Sequence, residues 1–308
     1  VLAGACLAVS LGASLAVIGP YFIAAEGGPA PLARLLELVS VWLLALGLVF
    51  GLTVLLLGQC GLGAGAVVLA LAGGALLGSG YWRATVPQAD QTANLRVLFF
   101  NTQSADSAMS DRIVAAAIAE APDIAVFVEA TGMGRALPQL RDAFVFVSPC
   151  PDEACEILVA ANRAPERFWR LSLNPIWEDR YGVIEHAPGQ FLGMSHLVKP
   201  WFSGVAGPEL ERLAAQYNWL PESAVVVGDF NMPPWSTPMR RLLHDTGFRA
   251  QRGALGTWPA GAGPFALPID QILTRGDVSV VSLRPFGEGL GSNHLGFVAE
   301  LSVPGLPP

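Results

Sequence analysis

Ala224-Val225-Val226-Val227-Gly228-Asp229-Phe230-Asn231 is the stretch on which the reading of this chain turns. A β-branched run that ends in Gly-Asp-x-Asn predicts a buried strand whose C-terminal end offers a carboxylate and an amide to a cleft. Gly, Asp and Asn also form ordinary turns after strands, so the tetrapeptide takes its meaning from its company. Asn101 follows Val97-Leu98-Phe99-Phe100, Glu129 follows Ile124 to Val128, His196 closes Gln190 to Ser195, and Asp270 stands beside Ile269. Ser292-Asn293-His294 then precedes the apolar run Leu295 to Val298.

In this order and spacing the set resembles the endonuclease/exonuclease/phosphatase family. That Mg²⁺-dependent group includes pancreatic deoxyribonuclease, abasic-site endonucleases, sphingomyelinases and inositol-polyphosphate phosphatases. The resemblance runs from about Leu95 to Leu301. It implies a four-layer α/β sandwich, two central mixed sheets with outer helices, that hydrolyses a phosphate ester at the sheet ends. It implies roles as well. Glu129 would be the principal metal ligand with Asn101 beside it, and Mg²⁺, or Mn²⁺ in its place, would be the cofactor. His294 would lie nearest the water and the phosphorus, with Asp270 as its partner. His196 and Asn231 would donate hydrogen bonds to phosphoryl oxygens, and Asp229 would orient the water. One position departs from the pattern, because the family usually has Ser-Asp-His where this chain has Ser292-Asn293-His294. Asn293 keeps an oxygen for the metal set but removes a negative charge from it.

The chemistry of the residue types agrees with these roles. Phosphate-ester hydrolysis calls for a cation on the non-bridging oxygens, a base for water and donors where negative charge builds. Mg²⁺ is a hard ion that takes a few protein oxygens and keeps several waters. Imidazole titrates near neutrality, and a carboxylate partner fixes its tautomer. A strand-end Glu can also cap a loop, and a lone His is more often structural than catalytic. His186 and His244 match nothing in the pattern and read as structural. Thr257, in the loop Thr257-Trp258-Pro259, is open to either a substrate or a packing role.

Upstream of this domain the chain is apolar. Val1 to Ala25 carries no charge, and none occurs from Leu38 to Trp82. A span takes roughly 20 apolar residues, so residues 1–82 read as three transmembrane helices, with Gly58 to Gly61 turning between the last two. A cleaved signal peptide for the first segment and buried core helices for the others are the alternatives. Residues 83–94 read as a polar linker and 95–308 as the catalytic domain. Within that domain helices are expected over Asp111 to Ala121 with Ser110 as cap, over Arg135 to Asp142, over Pro208 to Leu220, and after Trp235 with Ser236 as cap.

Arg34 and Arg83 are too few to orient the spans by positive charge. Cys150 and Cys155 flank a short polar loop with no His or third Cys near enough to complete a zinc set. They read as a disulfide in an oxidising compartment, against two free thiols. The catalytic domain is therefore expected outside the cytoplasm, on the multi-pass inner membrane of a bacterium.

Residues 83–308 hold 23 of the 25 acidic and 17 of the 18 basic residues, Glu26, Glu37 and Arg34 being the others, a net of −6. That balance argues against nucleic acid as partner, since its binding needs a Lys/Arg surface. A bilayer and a phosphorylated lipid or small molecule are the expected partners, and Lys199, the only lysine, with Trp201 and Phe202 is open either to meeting the headgroup as a substrate-binding group or to ordinary packing of the loop against the core. Bacterial members with a few N-terminal spans resemble lipid-pyrophosphate phosphatases, which makes undecaprenyl pyrophosphate an implied substrate. An anchored nuclease or nucleotidase and a non-catalytic phospholigand-binding protein are the competing readings.

Overall fold

The computed structural model describes residues 1–23, 27–150 and 155–307. The end of the first apolar stretch (24–25) and the interior of the cysteine loop (151–154) lie outside the described residues. The chain forms two compact units: Val1–Ala84 with Lys199–Gly207 and Met232–Arg241, and a second made of Thr85–Val198, Pro208–Asn231 and Leu242–Pro308.

Among the described residues the N-terminal part of the first unit folds as α1 (Leu2–Ile18), α2 (Ala30–Leu38), α3 (Ser40–Leu56) and α4 (Cys60–Ala84). Leu2–Phe22 and Cys60–Ala84 are long and apolar enough to cross a membrane. α2 and α3 meet at a 73° bend and add a third span if they count as one. Small residues let α1 and α3 approach closely. Ser10 Oγ donates to the Gly47 carbonyl at 2.7 Å, and a Cβ on Gly47 would lie 2.9 Å from Ser14 Oγ. In hydrocarbon such contacts replace the hydrophobic drive that water would supply.

The second unit is a two-sheet sandwich. Its chain order is β1 (Thr85–Val86), β2 (Leu95–Asn101), α5 (Ser107–Ala119), β3 (Ile124–Val128), α6 (Leu137–Ala143), β4 (Phe146–Val147), β5 (Ile157–Ala161), β6 (Arg167–Leu171), β7 (Tyr181–Ala187) and β8 (Gln190–His196). Next come α7 (Ala206–Trp219), β9 (Ala224–Asp229), α8 (Thr237–Thr246), β10 (Arg249–Gln251), β11 (Asp270–Arg275), β12 (Ser279–Phe286) and β13 (Gly296–Ser302), α7 and α8 each beginning in the first unit. One mixed sheet is ordered β1-β10-β11-β9-β8-β7-β6 and the other β12-β13-β2-β3-β5-β4. The expected pair of central sheets with helices around them is therefore present.

Alternation along the strands builds the layers. Leu95, Val97 and Phe99 of β2 join Val126, Val225, Val227 and Ile272 in the core between the sheets. Leu98 and Phe100 face the other way, against Ile113 and Val114 of α5 and Leu140 of α6. Buried on both faces, these strands read as continuous apolar runs.

Several local expectations shift. Thr85 and Val86, placed in a polar linker, pair in parallel with Ala250 and Gln251 as an edge strand. Helix α5 begins earlier than expected because Asp106, with extended backbone, accepts from Met109 N and is the true cap. The Ser110 hydroxyl instead donates to the Asp106 and Gly132 carbonyls. β4 is confined to Phe146–Val147, with Phe144 and Val145 outside it.

His186, at the end of β7, lines a recess with Asn94, Asp123 and Arg163. Burial, reinforced by Arg163 and opposed by Asp123, pushes its pKa down from 6.5 to about 4. Between those values the unfolded chain binds the proton that the folded chain refuses. The stability contribution is thus whole above pH 6.5 and lost as pH falls towards 4, amounting to no more than about 3 kcal/mol. His186→Gln should flatten the fall in Tm between pH 7 and pH 5, read by thermal melts of the detergent-solubilised protein. Equal slopes in both proteins would show that His186 titrates normally.

Candidate active site

Strand pairing brings the polar strand ends together. β8 and β9 run parallel with His196 beside Asp229, and β11 runs antiparallel to β9 with Asp270 opposite Asp229. In the other sheet β2 and β3 are parallel and place Asn101 next to Val128, one residue before Glu129. Gly228 permits this convergence, because a Cβ there would lie 2.4 Å from the Ser195 carbonyl oxygen.

The backbone at the site is wound into unusual shapes. Glu129 has φ 49° and Asn231 φ 53°, left-handed values for residues that carry a Cβ. Local bonds hold both. Thr102 Oγ1 donates to the Glu129 carbonyl at 2.6 Å and Ser104 N to the same oxygen at 2.9 Å. Asn231 N donates to Asp229 Oδ1 and its amide Nδ2 to the Leu197 carbonyl, both at 2.8 Å.

Asn101 is a buried bridge. Its Nδ2 donates to Glu129 Oε1 at 3.1 Å and to Asp229 Oδ2 at 3.0 Å, while its Oδ1 accepts from Gln103 N at 2.9 Å. Each histidine stands between carboxylates. His294 Nδ1 meets Asp270 Oδ2 at 2.9 Å, and its Nε2 points to Asp229 Oδ2 at 3.9 Å. His196 Nε2 lies 3.5 Å from Glu129 Oε1 and 3.8 Å from Asp229 Oδ2, and its Nδ1 bonds to Glu156 Oε1. The Thr257 hydroxyl accepts from Asp270 N at 3.1 Å and so supports the backbone that carries this carboxylate. Ser292 Oγ donates to the Asn101 carbonyl at 2.8 Å and accepts from His294 N at 3.0 Å.

Two predicted residues stand differently. Asn293 is exposed, with its N–H donating to Gln103 Oε1 at 2.9 Å. Lys199 belongs to the first unit, where its Nζ lies 5.9 Å from the centroid of the Trp201 ring.

Glu156 is the participant that sequence reasoning missed. It follows Cys155 of the Cys150–Cys155 disulfide and directly precedes β5, whose Ile157 pairs with Val128. A carboxylate directly before Ile157-Leu158-Val159 was the available signal, the same strand-end pattern in mirror image. Burial works against its charge, but the bond and charge of His196, then Arg180 and the Glu129 N–H, hold its pKa below the usual carboxylate value.

Burial and charge crowding together set the electrostatics. Burial, then Asp270, raises the Asp229 carboxyl, with His294 and His196 pulling the other way. Burial would depress His294, but Asp270, Asp229 and Glu129 outweigh it and bring its pKa to about 9. Asp270 Oδ1 is buried and has no hydrogen-bond partner among the described residues.

That orphaned oxygen, inside a set of carboxylates, fits a divalent cation. Ligand atoms of Glu129, His196 and Asp229 lie within 4.8 Å of one another, as do those of Asp229, Asp270 and His294. Such a cation would supply Lewis-acid stabilisation of phosphoryl oxygens. The protein's own side chains prepare the rest. Asp270 and Glu156 hold the two imidazoles by Nδ1, which turns both Nε2 atoms toward the carboxylate corner. Each Nε2 can there hold or pass a proton beside a substrate oxygen.

Comparison with known proteins agrees with this arrangement. The family described as Endonuclease/Exonuclease/phosphatase family matches residues 92–294, which is 203 of 308 residues. The chain belongs to this family. It is accordingly a phosphoric ester hydrolase, of a family whose enzymes use divalent metal ions. No curated protein sequence matches the chain. Similar solved structures include humanized D. rerio TDP2, at TM-score 0.52 and 15% identity over 68% of this chain and 99% of that one. Sphingomyelinase C from Streptomyces griseocarneus shares the fold at TM-score 0.52, 15% identity and the same two coverages. An endonuclease/exonuclease/phosphatase from Beutenbergia cavernae DSM 12333 does so at 0.51 and 18% over 70% of this chain and 73% of its own. At these identities the likeness is one of fold.

Substitution separates the roles. Glu129→Gln and His294→Ala should each lower turnover at least about a hundredfold without loss of helicity or Tm, since both act on the developing charge. Glu156→Gln should cost about tenfold or more, because an amide holds His196 without fixing its charge. Steady-state rates near wild type in all three would refute the assignment.

Proposed function

We propose that this protein is a membrane-anchored, Mg²⁺-dependent phosphoesterase that hydrolyses a phosphate or pyrophosphate ester of a lipid, such as undecaprenyl pyrophosphate, at the outer face of a bacterial inner membrane. One observation carries the lipid reading. The two segments that leave the catalytic strand ends, Lys199–Gly207 after His196 and Met232–Arg241 after Asp229, fold as part of the apolar N-terminal unit. A site whose flanking segments belong to a membrane-anchoring unit suits a substrate that resides in the bilayer.

Mg²⁺, with Mn²⁺ as its substitute, matches the donor set, because Glu129, Asp229 and Asp270 offer hard oxygens. In the proposed reaction His196 and Asn231 bind phosphoryl oxygens, Asp229 orients the water, and His294 with Asp270 manages its proton. Lys199 and Trp201 meet the headgroup. The Cys150–Cys155 disulfide supports an extracytoplasmic site, because such bonds persist in oxidising compartments.

An anchored nuclease or nucleotidase is the second reading. D. rerio TDP2 complexed with single strand DNA product shares this fold at TM-score 0.52, so the fold is open to nucleic acid. The net charge of −6 beyond residue 82 weighs against it, given 17 basic and 23 acidic residues there.

A substrate panel decides between them. Purified full-length protein should release phosphate from a polyprenyl pyrophosphate in mixed micelles, stop when the cation is chelated, recover on Mg²⁺ addition, and leave single-stranded DNA intact. Cleavage of DNA with no lipid turnover would favour the nuclease, and inertness to both would favour a binding protein. In the active enzyme Asn293→Asp should lower the Mg²⁺ concentration at half-maximal rate, since a carboxylate outcompetes an amide for a divalent cation. An unchanged Mg²⁺ requirement would place residue 293 away from the metal.

A further inference from the structure

The N-terminal unit holds a buried carboxylate that the catalytic chemistry does not use. Glu37 lies one residue before the end of α2, at the 73° bend into α3, and is 5% exposed. Its side chain reaches the segment Met232–Arg241 of the same unit, where Oε1 accepts from Thr237 N at 2.9 Å. Thr237 is the first residue of α8, so Glu37 caps that helix from a distant part of the chain. Ser236, the cap that the local sequence suggests, leaves its buried Oγ without a partner among the described residues.

The same residue makes further bonds into this segment and its own helix. Its carbonyl accepts from Trp235 Nε1 at 2.9 Å and from Ser40 Oγ at 3.0 Å, which satisfies an end carbonyl of α2. Arg34 Nη1 holds the second carboxylate oxygen at 3.0 Å, in a pair whose side chains are each 6% exposed. Beyond it Arg240 donates to Thr237 Oγ1 at 3.1 Å and lies 4.7 Å from the Tyr21 ring centroid. A buried carboxylate with a bound cation and a backbone N–H is well satisfied, and removing it would strand its partners.

The clasped segment leads directly to the catalytic turn. Only Met232, Pro233 and Pro234 separate Trp235 from Asn231. The two prolines fix φ and stiffen the connection, Met232 is buried, and Ser236 N donates back to the Pro233 carbonyl at 3.0 Å. A shift at Trp235 or Thr237 therefore passes along a short, stiff stretch to the left-handed Asn231.

We propose that Glu37 is a positioning residue for the Asp229–Asn231 turn, acting by capping α8 and holding Trp235. The inference rests on the proposed function only in assigning Asn231 a place in the reaction.

The test compares Glu37→Ala with Glu37→Gln in the full-length protein in nanodiscs, by turnover and by amide hydrogen exchange. Gln retains an oxygen for Thr237 N, whereas Ala retains none. Glu37→Ala should speed exchange over residues 229–241 at least about tenfold and lower kcat about tenfold, with KM changed less than about threefold. Glu37→Gln should restore both readouts to within about threefold of wild type. Unchanged exchange over 229–241 in Glu37→Ala would overturn the proposal, whatever the substrate proves to be. So would unchanged kcat in an active enzyme, or a KM that rises while kcat stays constant. If the wild type turns over no phosphate ester, the functional reading fails, and exchange in the two variants still decides the clasp.

Discussion

Asp229 and Asp270 sit opposite each other on adjacent antiparallel strands, both essentially buried. Like charges facing each other across a sheet are unfavourable in water and more so where solvent is excluded. The surrounding architecture answers that constraint. His294 is clasped to Asp270 and aims its other nitrogen at Asp229, and Asn101 gives one amide nitrogen to both Asp229 and Glu129. Burial first, and then Asp270, raises the pKa of Asp229, while around His294 the carboxylates of Asp270, Asp229 and Glu129 outweigh burial and raise that of the imidazole.

Much of this was legible because it depends on local pattern. Apolar β-branched runs mark buried strands, and a polar residue that ends such a run has few places to go other than a cleft. That logic located Asn101, Glu129, His196 and Asp229, whereas Asp270, which begins β11, was marked only by the apolar Ile269 before it and by the family pattern; the sheets bring all five to one end. It passed over Glu156 because that carboxylate precedes its strand instead of closing it and belongs to the polar cysteine loop. β5 runs antiparallel to β3, so a residue at its start reaches the same edge as one at the end of its neighbour. Strand direction decides which end of a run matters, and a single sequence does not display direction.

Helix caps failed for a related reason. Ser110 and Ser236 are good caps by residue type, yet Asp106 and Glu37 perform the function. Asp106 is a local competitor four residues upstream. Glu37 is separated from Thr237 by 200 residues, and no propensity can anticipate it. The edge strand at Thr85 escaped for the same reason, since two polar-flanked residues pair only because β10 offers an edge. Short-range rules describe what a segment can do alone, and tertiary contacts choose among the options.

The balance of charge sharpens the meaning of Asn293. Glu129, Glu156, Asp229 and Asp270 bring four carboxylates to the site, while Arg180 lies 3.5 Å from Glu156 and the two histidines stand between the others. With both imidazoles protonated the set is still short by one positive charge, and with both neutral it is short by three. A divalent cation suits that range. A fifth carboxylate at 293 would deepen the deficit, but at an exposed position water would screen much of its charge. The buried Asp229–Asp270 pair, and not residue 293, is where the need for positive charge originates.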